Sequence, residues 1–409
     1  MAPFTKLITV VFCVLQLAPQ VLFAEPKSAG ATLEQYKGYA ISKSPAAKQI
    51  DAKAAAKLAE ALQAELGLNP ELSSEFRSSS KDEEDTEVEV SLSKPLRLGQ
   101  SSLRKEISNL LNQSARQEQK ADLLQLSQNV TGAYARLWGT NEKVEILKNA
   151  KPRLERSAVM VAEATSKGLL SGGEQAFFEA QAALIEAAML EAIAEKAEAR
   201  AELIRTSGLR WENEALLRPE FMPLSSCEEI KHIAKESEIS PLKRSKLLAE
   251  AAERQLRLAR KESYPLIEPR LVYEHADNGS DRFGAGISFP LPLFNRNQAE
   301  VKRREAELNS IQASNQYTAS SSFDLEIDAL CQAVQSLEKR SQILSSVVAA
   351  KLRQAVKLQE QQFGRGQGSP AQVWQSQREL LNAELAAIDS WQKAVGTRLM
   401  LWAVAGEEI

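Results

Sequence analysis

Thiol and imidazole side chains, which most often bind metals or act as nucleophiles, are scarce in this sequence. The 409 residues contain three cysteines and two histidines. Cys227 and His232 are close enough to suggest two metal ligands, but a structural zinc site needs four ligands at paired spacings, and the others are missing. We predict no metal site and no cofactor. Cys227 and Cys331 could pair in an oxidising compartment, and the sequence leaves that pairing open.

A glycine-rich segment, Gly364–Pro370 (GRGQGSP), is another place where the residue types suggest chemistry. It lacks the Lys-Ser/Thr ending and the preceding strand of a phosphate-binding loop, so we do not predict nucleotide binding there. Carboxylates are numerous, as expected on exposed helices when 26% of the residues are charged. Because no Ser/His/Asp or Cys/His set accompanies them, we predict no catalytic residues and no enzyme activity.

The composition indicates long amphipathic helices in an exported protein. Aromatic residues make up 6% of the chain, and there are only 18 glycines and 15 prolines. A net charge of -3 provides no basic surface for phosphates, which argues against a nucleic-acid partner. Leu7–Leu17 is an apolar run of the length found in signal peptides, and we place the cleavage after Ala24.

Two segments with few helix breakers predict long helices over residues 100–166 and 295–363. At 1.5 Å per residue, each helix would be about 100 Å long. Each segment ends at a glycine-bearing turn, after which a helical pattern resumes. The predicted turns are at 167–173 and 364–370, and the shorter helices that follow are at 174–207 and 371–404.

A pair of predicted strands precedes each long helix. In the segment TEVEVSLS, the apolar residues Val88, Val90 and Leu92 alternate with polar residues, so one face of the strand is apolar. In the second pair, alternate residues from Phe283 to Phe289 share one face, and the preceding DNGSD segment is a strong turn signal. We predict strands at about 71–80, 86–98, 270–276 and 282–293.

The same order of helix, strand pair, long helix, turn and shorter helix occurs twice, which indicates an internal repeat. Pro95-Leu96-Arg97-Leu98 after the first strand pair corresponds to Pro290-Leu291-Pro292-Leu293 after the second, and the turn glycines Gly168 and Gly366 also correspond. We therefore divide the chain into a signal peptide at 1–24, a first repeat at 25–208, a linker at 209–237, a second repeat at 238–404 and a tail at 405–409.

After the signal peptide, the sequence has no apolar stretch of 18 or more residues, so we expect no transmembrane helix. A closed β-barrel is the other structure that can span a bilayer, and such barrels start at about 8 strands. With four predicted strands per chain, two chains would form an eight-stranded barrel and three a twelve-stranded barrel with room for a channel. The expected fold class is an α+β membrane protein in which several chains share a barrel that long α-helices continue.

On these residues the sequence resembles the TolC family of outer-membrane efflux proteins, and within it the CzcC-like branch. The resemblance covers nearly the whole chain after the signal peptide, and three features carry it: Leu68-Asn69-Pro70-Glu71-Leu72 before the first strand, Pro290–Asn297 (PLPLFNRN) after the fourth, and the paired glycine turns. It implies a homotrimer with a shared twelve-stranded outer-membrane barrel and an α-helical coiled-coil tunnel in the periplasm. It also implies a passive exit duct that receives substrates from an inner-membrane pump through a periplasmic adaptor.

The resemblance further assigns roles to the hairpin tips. In family members the tips contact the adaptor, and the matching residues here are Gly168, Leu169, Leu170, Ser171, Gly366, Gln367, Gly368 and Ser369. The alternative is a plain turn without a binding role. In the best-known members, acidic residues after the second tip close the tunnel entrance, and the positions to compare here are Glu174, Gln372 and Gln375. Because glutamine replaces an acid, a solvated helix face is an equally good interpretation of these positions.

The barrel surface that would face outer-membrane lipid consists of Val88, Val90, Leu92, Phe283, Ile287 and Phe289. The CzcC-like resemblance favours heavy-metal cations as substrates, although the chain itself shows no binding chemistry and selectivity would belong to the pump. The competing hypothesis is a periplasmic coiled-coil adaptor or structural spacer, which would share the signal peptide and the long helices. Such an adaptor would carry lipoyl-like or barrel domains around one hairpin and would lack the twofold repeat.

Overall fold

A computed structural model of the protein describes residues 32–78, 86–168, 170–210, 216–276, 279–318 and 320–407. The predicted signal peptide, the tip residue Leu169 and the end of the predicted tail lie outside the described residues. The α-helices in the described ranges are α1 (Leu33–Lys43), α2 (Pro45–Glu65), α3 (Ser101–Ser166), α4 (Gly172–Ser207), α5 (Cys227–Glu236), α6 (Pro241–Lys261), α7 (Gln298–Thr318), α8 (Ser321–Gln342), α9 (Ala349–Gly364) and α10 (Pro370–Ala405). The strands are β1 (Glu71–Ser78), β2 (Thr86–Ser93), β3 (Glu268–Ala276) and β4 (Asp281–Ser288).

The helix α3 continues for 66 residues, which corresponds to about 100 Å. Pro152 lies inside the helix and does not end it. Gly139 serves close packing, because a Cβ atom at this position would overlap the side chain of Gln392 in α10. In the described part of the chain, no helix is both long enough and apolar enough to cross a lipid bilayer.

The second long segment, predicted as one helix over 295–363, consists of α7, α8 and α9, with a six-residue π-helical turn at Ile343–Val348 between the last two. The hydroxyls of Ser345 and Ser346 both donate to the carbonyl of Gln342, at 3.2 Å and 2.6 Å. Serine hydroxyls that bond to a carbonyl one turn earlier compete with the regular helical hydrogen bonds. Equivalent bonds occur within the regular helices α3 and α10, so they do not by themselves explain the π-helical turn, which the absence of glycine and proline did not reveal.

The four strands form one antiparallel sheet in the order β1-β2-β3-β4. The two predicted hairpins are β1–β2 and β3–β4, and pairing of β2 with β3 joins them. Both β2 and β4 are shorter than predicted, since they end at Ser93 and Ser288 rather than at 98 and 293. Pro95 and Pro290 follow these ends, and proline has no amide hydrogen with which to continue a strand ladder.

The helices α4 and α10 correspond closely to each other. Each has 36 residues and begins after a serine N-cap, Ser171 or Ser369, that forms a capping box. Each ends at a glycine in the left-handed region, with φ of 71° at Gly208 and 75° at Gly406. The helix hairpins of the two halves are therefore built by the same local rules.

Two buried clusters also correspond between the halves. In the first, α1 packs on α3 through the rings of Tyr36 and Tyr134, whose centroids are 5.7 Å apart. In the second, α5 packs on α8 around Ile230 and Cys331, both fully buried. Cys331 forms a disulfide with Cys227, which joins α5 to α8 covalently. The structure thus answers the question of cysteine pairing that the sequence left open.

Candidate functional site

One face of the sheet is apolar and exposed. Residues paired across antiparallel strands project from the same side, so the register determines which side chains share a face. The polar residues of this face include Ser74 and, near the turn between β3 and β4, the pair His275 and Asp281. Its other side chains are mainly apolar: Leu72, Phe76, Val88, Val90, Leu92, Leu271, Tyr273, Phe283, Ala285 and Ile287. Phe283 is 83% exposed and Ile287 is 70% exposed. Five of the six residues predicted to face lipid share this face, and Phe289 follows the end of β4; their contact with lipid stays a prediction.

The opposite face of the sheet carries a ladder of charges. Glu89 in β2 accepts hydrogen bonds from Arg77 in β1 at 3.1 Å and from Arg270 in β3 at 2.8 Å. Glu274 in β3 accepts one from Arg282 in β4 at 3.3 Å. These ion pairs connect all four strands on a single face. The sheet is therefore amphipathic, with separate apolar and charged surfaces.

The sheet is open in the single chain, because β1 and β4 each have one neighbouring strand in the described residues. An edge strand presents a row of backbone amide and carbonyl groups that can pair with a strand of another chain. An exposed apolar surface of this kind is expected to contact lipid or protein. The geometry thus fits assembly of several copies into a larger sheet at a membrane.

The first hairpin tip joins α3 to α4 through a capped turn. Gly168 has a φ of 71°, in the left-handed region that favours glycine, and its amide donates to the carbonyl of Thr165 at 2.9 Å. The carboxylate of Glu174 accepts a hydrogen bond from the amide of Ser171 at 2.8 Å, and the Ser171 hydroxyl accepts one from the amide of Glu174 at 3.2 Å. Leu170 is half-buried and packs on the apolar cluster behind the tip.

The second hairpin tip, between α9 and α10, has a similar design with one more glycine in the left-handed region. Gly366 has a φ of 77° and Gly368 a φ of 100°. The hydroxyl of Ser369 accepts a hydrogen bond from the amide of Gln372, and the Gln372 side chain accepts one from the amide of Ser369, both at 3.4 Å. Gly366, Gln367 and Gly368 are exposed. This tip therefore presents glycine backbone together with the polar side chains of Arg365 and Gln367 to its surroundings.

The residues compared with a tunnel entrance have a local structural role. Glu174 and Gln372 are the third helical residues of their capping boxes, and their side chains hold the first turns of α4 and α10. Hydrogen bonds from the amide and then the hydroxyl of Ser171 lower the pKa of Glu174. Gln375 is exposed one turn later on α10. A part for these residues in a tunnel entrance stays a prediction.

A polar chain behind the second tip, which runs from the buried Ser157 to the exposed Glu360, was missed by the sequence analysis. The Ser157 hydroxyl donates to Oε1 of Gln377 at 3.0 Å, and Nε2 of Gln377 donates to Glu360 at 2.8 Å. The residues Ser157 and Gln377 are 1% and 6% exposed. The chain links α3 of the first hairpin to α9 and α10 of the second. Its signal in the sequence was the helical spacing that puts Gln377 on the same face as Trp374 and Leu381, both buried.

The residues that suggested a metal site do not come together as ligands. Cys227 is bonded to Cys331, and a disulfide sulfur is not the thiolate that binds metals. His232 is exposed and pairs with Glu236 at 3.4 Å on the same helix. Within the ranges that the structure describes, no group of three or more His, Cys, Asp or Glu side chains could hold a metal ion.

The fold is similar to those of solved outer-membrane channels. The outer membrane protein VceC from Vibrio cholerae matches with a TM-score of 0.75 and 19% identity, over 92% of this chain and 97% of that chain. The Campylobacter jejuni CmeC outer membrane channel matches with a TM-score of 0.73 and 15% identity, over 92% and 86% of the two chains. The Neisseria gonorrhoeae MtrE outer membrane channel, in its open state, matches with a TM-score of 0.73 and 16% identity, over 92% and 89%.

These similarities concern the fold, because the identities are low. A scan against protein-family models found no match, and a search of curated proteins found no matching sequence. The structure and its similarity to solved channels confirm the expected combination of long helices with a small antiparallel sheet. Membership of the CzcC-like branch stays a prediction.

Proposed function

We propose that this chain is one subunit of an outer-membrane exit duct in a Gram-negative-type envelope, and that the duct serves a tripartite efflux system. The observation that carries the proposal is the amphipathic four-stranded sheet at one end of α3, a helix about 100 Å long. The fold shared with the outer-membrane channels VceC, CmeC and MtrE supports it. In this proposal the duct is passive, and substrates pass through it without a catalysed reaction.

Assembly follows from the open edges of the sheet. In the proposed homotrimer, β4 of one copy pairs with β1 of the next, which turns three four-stranded sheets into a twelve-stranded barrel. The apolar face then contacts outer-membrane lipid, and the charged face with Glu89 lines the lumen. This arrangement pairs the backbone amide and carbonyl groups of the edge strands, and it also removes the apolar face from water.

The two hairpin tips lie at the other end of the long helices and are the proposed docking points for a periplasmic adaptor. The support comes from their equivalence, since both tips combine a left-handed glycine, Gly168 or Gly366, with a serine capping box. Two equivalent tips in each of three subunits would offer the adaptor a ring of similar contacts. The adaptor would connect the duct to an inner-membrane pump.

Heavy-metal cations are the proposed substrates, on the strength of the CzcC-like resemblance alone. The charged lumen face carries ion pairs such as Arg270 with Glu89. It also carries Glu71, Glu87 and Glu268, so its carboxylates outnumber its arginines. An excess of carboxylates favours the passage of cations, and the described residues place no group of three metal ligands on this face that could retain them. Selectivity for the cation is therefore assigned to the pump.

A periplasmic adaptor or structural spacer, the competing hypothesis, is the weaker interpretation of this fold. It accounts for the long helices, but it gives no role to a four-stranded sheet with one exposed apolar face. It also leaves the correspondence between α4 and α10 unexplained, since an adaptor built around one hairpin needs no repeat.

The decisive experiment is fractionation of cells that express the full chain, followed by mass measurement of the detergent-purified protein. We expect the protein in the outer membrane, with heat-modifiable migration and a mass of three mature chains. In a strain that lacks the gene, susceptibility to substrates of the partner pump should rise. A monodisperse monomer that keeps its β-structure, or a protein found only in the soluble periplasmic fraction, would contradict the proposal.

A further inference from the structure

A cleft of about 660 Å³ lies where the sheet meets the helices. Its volume is in the range of about 300 to 1,000 Å³ that is typical of ligand pockets. Its apolar lining includes Leu98, Tyr264, Leu266, Ile267, Ile287 and Phe289. Because Ile287 belongs to the apolar face of the sheet, the cleft continues that face toward the start of α3.

Two cations, Arg97 and Lys261, also line this apolar cleft. Lys261 donates to the carbonyl of Gly99 at 2.8 Å, and Arg97 donates to the carbonyl of Leu66 at 3.4 Å. Within the described part of the chain, neither cation forms an ion pair with a carboxylate. Their charges are therefore not neutralised by the protein, in contrast to the arginines of the charged sheet face.

The neighbouring groups do not cancel this charge. Glu262, which follows Lys261, is engaged by Arg104 in an ion pair. Burial, and after it the positive charge of Arg97, lower the pKa of Arg104. Glu262 acts on Arg104 in the opposite direction, so its carboxylate is engaged by Arg104 rather than by Arg97 or Lys261.

We propose that the cleft binds an anionic phospholipid, with an acyl chain on the apolar lining and the phosphate between Arg97 and Lys261. Charge complementarity favours an anionic lipid over an uncharged one. An uncharged ligand would cover the apolar lining but would leave Arg97 and Lys261 without a negative partner. The proposal rests on the proposed membrane location of the sheet and adds a specific lipid to it. The bound lipid would fix the depth at which the sheet sits in the membrane.

The test uses the full chain, purified in mild detergent and depleted of lipid, with binding measured by native mass spectrometry. The probes are phosphatidylglycerol, phosphatidylcholine and glycerophosphoglycerol, which has the anionic headgroup without acyl chains. The variant Arg97→Gln/Lys261→Gln removes both cations. The variant Lys246→Gln/Lys357→Gln is the matched control, because it removes the same charge from exposed helix positions away from the cleft.

We expect the wild-type protein to bind phosphatidylglycerol about tenfold more tightly than phosphatidylcholine, since each basic residue near an anionic lipid adds to the affinity. The cleft variant should lose this preference and the control should keep it. The headgroup without chains should not compete at the same concentration. Equal binding of the two lipids, or an unchanged preference in the cleft variant, would overturn the proposal, and so would full competition by the headgroup alone.

A second copy of the chain is the other candidate occupant, and a photo-crosslinking residue at Leu98 tests it. Crosslinks to lipid support the proposal, whereas a chain-to-chain product overturns it. The mass and membrane fraction of the wild-type protein are recorded in the same samples. A wild-type protein that is not a trimer of the outer membrane contradicts the proposed function, whereas a trimer without lipid preference contradicts only the lipid site.

Discussion

Gly406, which ends α10, packs directly against the backbone of Ser240, which begins α6. A Cβ atom at position 406 would lie 2.8 Å from Cα of Ser240 and 2.9 Å from its amide nitrogen. The first half has a looser version of this junction, where a Cβ at Gly208 would lie 3.3 Å from Cβ of Ser44. Each serine caps the helix that leads to the sheet, so the junction connects the hairpin of one half to its strands.

The change Gly406→Ala should therefore destabilise the protein more than Gly208→Ala. Both glycines have a positive φ, and an alanine in that region costs about 1 to 2 kcal/mol. At 406 the backbone of α6 must also move, which adds about 1 to 3 kcal/mol. Urea unfolding followed by the helical circular dichroism signal measures both effects. Equal shifts for the two variants would contradict the close approach at Ser240.

The apolar face of the sheet gives a second prediction. Ile287 lies one residue before the end of β4, beside the cleft where the sheet meets the helices, so an arginine there would lie near the membrane interface. The change Ile287→Arg should cost about 1 kcal/mol and should lower the yield of outer-membrane trimer. Ser288→Arg is the control, because Ser288 lies next to it on the charged face of the same strand. Trimer yield in outer-membrane fractions is the measurement. An unaffected Ile287→Arg together with a defective Ser288→Arg would mean that the faces are oriented the other way.

The disulfide between Cys227 and Cys331 gives a third prediction. It closes a loop with a sequence separation of 104 residues, and its loss should reduce the free energy of unfolding by about 2 to 4 kcal/mol. Cys227→Ser is the preferred variant, since it leaves the fully buried Cys331 in place. A thiol reductant should lower wild-type stability to the level of the variant and leave the variant unchanged. Reductant sensitivity of the variant would show that the reagent acts elsewhere.

The sequence predicted those features that depend only on residues close together in the chain. Alternation of Val88, Val90 and Leu92 with polar residues predicted the two faces of the sheet, because side chains of a strand point to opposite sides in turn. The glycines at 168 and 366 predicted the hairpin tips, since a helix reversal needs a residue with positive φ. These signals are local, so a single sequence is enough to see them.

Other features depend on contacts between distant segments and could not be predicted in this way. The disulfide requires α5 and α8 to lie side by side, and the cysteine positions alone do not place them. In the first half the equivalent helices meet through Tyr36 and Tyr134, so the repeat did not point to a cysteine pair. The hydrogen bond between Ser157 and Gln377 joins the two hairpins, and it likewise cannot be predicted without knowing how the helices pack.

The hairpin tips give the last prediction, in which Gly366→Val is compared with Gly364→Val. Gly366 has a φ of 77°, and a β-branched residue there should introduce about 1 to 3 kcal/mol of local strain. Gly364 is the last residue of α9, has no positive φ and has open space around its Cα, so valine at this position should change the tip little. Because the sheet lies about 100 Å away, neither change should affect export or trimer formation.

If the tips dock on an adaptor, Gly366→Val should weaken cysteine crosslinking between tip and adaptor in cells and should reduce efflux, while Gly364→Val keeps both. Outer-membrane trimer is quantified in the same samples, so that loss of protein cannot imitate loss of docking. The equivalent change Gly168→Val tests the first tip in the same way, since its φ of 71° imposes the same constraint. If the tips contact the adaptor, distorting them must remove some of those contacts. Normal crosslinking and normal resistance in both tip variants would therefore show that these residues only form the turn.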